Sequence, residues 1–205
     1  MPVLAEPARP TGFLRDLDQP HIEVDDRIAL RPWHSGDAAT VRTAFDDPDI
    51  QRWHARRIDD LDEARAWIAN WTTRWAGEVD ASWAIIRTDG LFASENAKLR
   101  KHQIIGQVGL RGISLFEGSA HLSYWVLPEA RGAGVAVRAA RALTRWSFDV
   151  VGLHRMSLEH STRNAASCRV ATKLGFEVEG TSRGSALHAD GWHDMHVHAR
   201  LRTDD

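Results

Sequence analysis

The chain has 205 residues, 43% of them apolar, with a formal net charge of −2 and a single cysteine, Cys168. That length buries a substantial core and fits one α/β domain better than two small ones. Acids and bases are interleaved, no run approaches the roughly 18 apolar residues of a membrane span, and one cysteine forms no internal disulfide; neither nucleic acid nor membrane is expected as a partner, and the cytoplasm is the default compartment.

Met1 to Pro20 mixes Pro, Ala, Asp and Arg without the basic start and apolar centre of a secretion signal. Residues 1–22 are read as a flexible lead-in and 23–205 as a single domain. Ile28 to Trp33 alternates like a short strand, and Ser35-Gly36-Asp37 caps a helix over Ala38 to Phe45. Asp46-Asp47-Pro48 ends that helix, and Asp60 with Glu63 resembles a capping pair opening the next. The second helix carries the stripe Ala64, Trp67, Ile68, Trp71 and Trp75, part of a set of nine tryptophans. A stripe of indoles either packs on the sheet or lines a groove, so Trp53, Trp71 and Trp75 are candidates for an acceptor site.

Ser82 to Arg87 and Gln103 to Arg111 read as strands joined by a polar surface loop over Thr88 to His102, a candidate for disorder. Ser119 to Val126 is the next strand. A helix from about Val135 to Val150 follows, with Val135, Ala139, Leu143, Trp146 and Val150 as its buried stripe. Arg155 to Ser161 is a strand, Asn164 to Leu174 a helix closed by Gly175, and Phe176 to Leu187 pairs with Met195 to Arg202 as a hairpin through Ala189-Asp190-Gly191-Trp192.

The turn Arg131-Gly132-Ala133-Gly134-Val135-Ala136 sits between a strand and a helix. It places free N–H donors at the positive end of a helix dipole, and its glycines admit phosphate oxygens close to the backbone. It lacks the Gly-Lys-Ser/Thr ending of a P-loop and the Gly-x-Gly-x-x-Gly of a dinucleotide fold, so a pantetheine nucleotide fits better. The side chain of Arg131 is a candidate to add charge.

In Arg131, Gly134 and Ala136 the turn resembles the cofactor loop of the GNAT N-acyltransferases, Gln/Arg-x-x-Gly-x-Gly/Ala. Ala120 to Pro128, Asn164-Ala165-Ala166-Ser167 and Lys173 to Gly180 resemble the branch containing the RimJ and RimL ribosomal-protein N-terminal acetyltransferases. The resemblance covers roughly Ile28 to Arg202. It implies an α/β (α+β) GNAT fold: a splayed, mixed, mostly antiparallel sheet of six to seven strands flanked by about four helices, with the pantetheine arm in the gap between two central strands. It also implies acetyl-CoA, or another acyl-CoA, as co-substrate, held by the turn residues Arg131 to Ala136, by backbone groups of Val126 and Leu127, and by Asn164. Ser167 would donate a proton to the leaving thiolate. The competing readings are an ordinary helix cap for Asn164 and an exposed polar position for Ser167.

The chemistry needs a neutral amine to attack the thioester carbonyl, an oxyanion to form and the thiol to depart, so a base is useful. Aligned to the RimL-like pattern, Ala186 stands where relatives carry a glutamate. His121, on the strand before the turn, is the substitute candidate, against a surface histidine as the alternative. His188, His193, His196 and His198 crowd the last hairpin, but without cysteine or carboxylate spacing beyond Asp190 and Asp194, and no metal is expected. The acceptor implied by the resemblance is a protein or peptide α-amine. A small amine such as an antibiotic or polyamine, and a non-catalytic CoA-binding module, stay open as alternatives, as does a homodimer as the assembly.

Overall fold

A computed structural model describes residues 4–54, 56–88 and 103–204. The elements run β1 (Ile22–Glu23), β2 (Ile28–Pro32), α1 (Ala38–Ala44), α2 (Pro48–His54), α3 (Leu61–Ala76), β3 (Ala81–Arg87), β4 (Ile104–Ser114), β5 (Ser119–Val126), α4 (Val135–Trp146), β6 (Arg155–Ser161), α5 (Ala165–Lys173), β7 (Glu177–His188) and β8 (Gly191–Leu201). Eight strands form one sheet in the order β1-β2-β3-β4-β5-β6-β8-β7, antiparallel except where β5 meets β6. That parallel pair needs a crossover connection, and α4 supplies it.

Strand alternation divides the core between the two faces. Ile28 and Leu30 of β2 with Trp83 and Ile85 of β3 join Val135, Ala139 and Leu143 of α4. Ala29, Ala84 and Ile86 point the other way and join Val41 of α1, Phe45 at its end, Ile50 of α2, and Ile68 and Trp71 of α3.

The sheet has one strand, and the layer one helix, more than the sequence pattern suggests. The extra strand is the two-residue β1, too short to leave a period. The extra helix is α2: Pro48 occupies its first position, where the missing N–H costs nothing, and Asp47 Oδ1 accepts the Ile50 N–H at 2.9 Å. Proline starts a helix here as well as ending one.

The segment read as a flexible lead-in is docked. Ala8 and Arg9 N–H donate to the carbonyls of Phe116 and Leu115, and Gly12 and Leu14 N–H donate to the Glu78 carboxylate at 2.6 and 2.7 Å. Leu14 is 1% exposed, and Trp75 and Trp83 donate their indole N–H to the carbonyls of Leu17 and Pro20. Phe13 and Leu14 supply apolar area that a proline-rich composition hides.

The α4 stripe departs from expectation at its end. Val150 is exposed because the helix closes in a π turn over Ser147–Val151, whose extra residue rotates burial onto Phe148 and Val151. The hairpin connection is shorter than expected: His188 pairs with Gly191, leaving Ala189-Asp190 as the loop. Of the expected surface loop, residues 89–102 lie outside the described residues, while Thr88 is buried with its hydroxyl donating to the Asp26 carbonyl at 3.2 Å.

Candidate active site

β5 and β6 pair only over Ser119–His121 with Arg155–Ser157. Beyond that point the strands part, and a cleft of about 880 Å³ opens between them. That size suits a small ligand or cofactor arm. Leu127 N–H donates to the Ile105 carbonyl of β4 at 2.9 Å. In an antiparallel pair the orientation alternates, so Val126 turns its N–H and C=O into the gap. Arg131 Nε already donates to the Val126 carbonyl at 3.1 Å. Of the pair expected to grip the arm, Val126 faces the gap; Leu127 is buried with its donor committed to β4.

At the mouth of the gap, Gly132 and Gly134 take positive φ, +78° and +72°. A Cβ at either would meet nothing within 4 Å, so open space lies in front of both. Gly134 is the N-cap of α4 with no side chain capping it, and among the described residues the N–H groups of Gly132, Ala133 and Gly134 make no backbone hydrogen bond. Free donors at a helix N-terminus with room in front of them favour a diphosphate. Arg131 does not add its charge there: its guanidinium pairs with Asp47 (2.5 Å) and Asp49 (2.9 Å) at the start of α2. Ala133 lines a second cavity of about 450 Å³ behind the turn, beside Arg27, Arg87 and Arg138.

Residues 27–177 match the model of the acetyltransferase (GNAT) domain. The chain belongs to the GNAT acetyltransferase family. It is 24% identical to the uncharacterized N-acetyltransferase YoaA of Bacillus subtilis (strain 168) over 86% of this chain and 94% of that protein. The solved ribosomal-protein-S5-alanine acetyltransferase from Vibrio fischeri shares the fold with a TM-score of 0.76 and 21% identity, over 91% of this chain and 98% of that one. A ribosomal alpha-N-protein acetyltransferase, RimL, in complex with coenzyme A superposes with a TM-score of 0.75 and 17% identity, over 91% of this chain and 100% of that one.

In this GNAT domain the far end of the cleft is walled by α5 and β5. Asn164 caps α5, its Oδ1 accepting the Ser167 N–H at 3.1 Å, so the cap reading of Asn164 holds while its amide also borders the cleft. Ser167 lines the cleft as well. Opposite stands Tyr124, the only tyrosine of the chain. Burial pushes its phenol up to about 12 against a smaller opposing pull from the Ser167 hydroxyl. The two hydroxyls lie close without a well-formed hydrogen bond, and the buried Tyr124 oxygen has no other partner. A phenol with so high a pKa stays protonated at neutral pH and keeps its O–H as a donor.

The acceptor side is less as expected. Trp53 lines the cleft, stacked under the Arg52 guanidinium. Trp75 belongs to the core beneath the docked N-terminal segment, and Trp71 is buried under Arg111, whose guanidinium lies 4.2 Å from its ring centroid; neither borders the cleft. At helical spacing the stripe faces the sheet, where the larger apolar area lies. His54, beside Trp53, is pushed down to about 4 by burial and by the nearby charge of Arg111, so its imidazole is neutral at pH 7.

His121 stands just below the fork, outside the cleft, with Nδ1 2.7 Å from Ser157 Oγ and 3.8 Å from Glu159 Oε1. Two carboxylates line the cleft: Asp49, which is paired with Arg131, and Glu159. Glu159 shares a face of β6 with Ser157 and Ser161 by simple alternation, a signal that motifs alone pass over.

The hairpin histidines divide into two groups. His188 and His193 stack at 4.2 Å; His193 Nε2 lies 2.8 Å from Asp190 Oδ1 and 3.0 Å from the Arg163 guanidinium, and its Nδ1 lies 2.8 Å from Ser161 Oγ. Together they fix the hairpin tip against α2, where His188 Nδ1 donates to the Arg52 carbonyl at 2.9 Å. His196 and His198 turn instead towards His160 and Cys168 under α5.

Proposed function

We propose that this GNAT acetyltransferase moves an acetyl or related acyl group from acyl-CoA to a primary amine, the α-amine of a protein or peptide, within a single domain of residues 23–205 on which the N-terminal segment packs. The observation that carries the reading is the row of unpartnered N–H groups at Gly132–Gly134 beside a gap where β5 and β6 no longer pair. The first binds a diphosphate; the second leaves strand edges for an extended amide-bearing arm. The peptide α-amine is supported by the fold neighbours named as ribosomal-protein acetyltransferases and by an acceptor wall of Trp53 at an open cleft.

At the reacting end the residues divide the proton work. As the amine nitrogen bonds to the acyl carbon and the carbon–sulfur bond breaks, Ser167 donates a proton to the departing sulfur and regains one from solvent at the open cleft, while Tyr124 stays protonated beside it. Glu159 takes the proton the amine loses, and His121 sits beside that carboxylate to share charge as it is neutralised. Free thiol is the readout: acetyl-CoA with a peptide bearing a free N-terminal serine or alanine yields thiol at a rate set by the peptide, and the N-formylated peptide yields none. Thiol release with spermidine but with no peptide would overturn the acceptor assignment.

A further inference from the structure

The register of β6 with β8 sets His160 opposite His196 and Leu158 opposite His198, so all three imidazoles share the sheet face that α5 covers. Cys168, on α5, completes the group: one ligand atom from each of the four residues lies within 4.8 Å of every other. His160 and His198 are buried; His196 and Cys168 are partly so.

Proton counting shows what the group lacks. His160 Nδ1 is 2.8 Å from the Ser161 carbonyl and His198 Nδ1 is 3.3 Å from the Phe176 carbonyl. A carbonyl only accepts, so both Nδ1 atoms carry the hydrogen and both neutral rings leave a bare lone pair on Nε2. Those two Nε2 atoms face each other at 3.1 Å. Two lone pairs at that distance repel unless something positive lies against both. In addition, His196 Nδ1 is buried with no hydrogen-bond partner.

We propose that His160, Cys168, His196 and His198 bind one zinc-type divalent cation in a closed four-ligand site. Zinc–nitrogen bonds of about 2.0–2.1 Å in a tetrahedron put ligand nitrogens about 3.3 Å apart, close to the observed separation. Imidazole with thiolate selects zinc-like ions over magnesium or calcium, which prefer oxygen. The two carbonyls orient His160 and His198 through their Nδ1–H groups, the usual outer support of a metal-bound imidazole. On binding, the Cys168 thiol releases one proton as its sulfur takes the metal. With four protein ligands the ion leaves no open position for a reacting group, so its role is to tie α5 to β6 and β8. Ser167 is the residue next to Cys168, so the tie fixes the helix turn that presents the proton donor.

The test uses tag-free, chelator-stripped full chain titrated with cobalt(II) alone. The expected result is one cobalt per chain, visible bands of tetrahedral cobalt and a near-ultraviolet sulfur-to-cobalt charge-transfer band, all abolished by one equivalent of zinc. Cys168→Ser removes the near-ultraviolet band, and His198→Gln weakens cobalt binding at least tenfold. Zinc also raises the unfolding midpoint of the wild-type chain and raises that of Cys168→Ser less. Should His198→Gln fail to fold, the partly exposed Cys168→Ser carries the test. A featureless titration, or a cobalt spectrum unchanged by Cys168→Ser, overturns the proposal, and neither depends on acyl transfer.

Discussion

Replacing Gly134 with glutamate separates the phosphate-holding role of the turn from its structural one. The residue lies at φ +72°, and a Cβ added there meets nothing within 4 Å, so the cost to folding is the left-handed backbone alone. That is about 1–2 kcal/mol for a residue with a Cβ, which for a chain of this size lowers the unfolding midpoint by roughly 2–8 °C. Gly134→Ala has the same backbone cost and adds no charge. In Gly134→Glu a carboxylate enters the space the N–H groups face, and losing one charge-assisted hydrogen bond costs about 1.5–3 kcal/mol, or roughly 10- to 150-fold in Kd. Calorimetric titration with coenzyme A, beside thermal unfolding of both variants, should show similar midpoints and a Kd at least tenfold weaker for glutamate than for alanine. A folded Gly134→Glu that binds coenzyme A as the wild type does would mean that these N–H groups do not hold the diphosphate.

Other substitutions probe the reacting end. Ser167→Ala should lower kcat with KM for acetyl-CoA little changed, since the group acts on the departing thiolate; steady-state kinetics on both substrates decide it, and an unchanged kcat returns Ser167 to a surface position. Glu159→Gln should lower kcat by about 10²–10⁴, the usual contribution of a positioned base, and His121→Ala should lower it less; a larger loss in His121→Ala would make the histidine itself the base. His54 is held neutral, its pKa lowered from 6.5 to about 4. A depressed histidine favours the unfolded chain once protons bind, so stability should fall as pH drops from about 6.5 towards 4. Denaturant unfolding against pH should show that limb flattened in His54→Gln; an identical limb would exclude His54 as its source.

The turn ahead of α4 is legible in the sequence because its information is local: Gly132 and Gly134 at positive φ, a strand before and a helix after are neighbours in sequence as in space. Alternation on β2 and β3 likewise foretells which residues enter which core. The acceptor end is not legible, because it is assembled from distant parts. α2 hides behind Pro48 and brings His54 with it, so neither signals the cleft. Arg131 reads as a phosphate ligand until Asp47 and Asp49, more than eighty residues earlier, are seen to neutralise it. Trp71 and Trp75 carry the right chemistry for a groove, yet helix periodicity cannot say which of two apolar surroundings a face meets. The histidines of β8 gain their cysteine only through α5, a pairing no spacing along the chain encodes.

A crystal structure of the full chain with acetyl-CoA is the decisive measurement for the cradle at the α4 N-terminus. Diphosphate oxygens should lie within hydrogen-bonding distance of the N–H groups of Gly132 to Gly134, with the pantetheine arm running between β5 and β6 past Val126. Acetyl-CoA bound elsewhere, with those N–H groups turned to solvent and the gap filled by protein, would rule the cradle out.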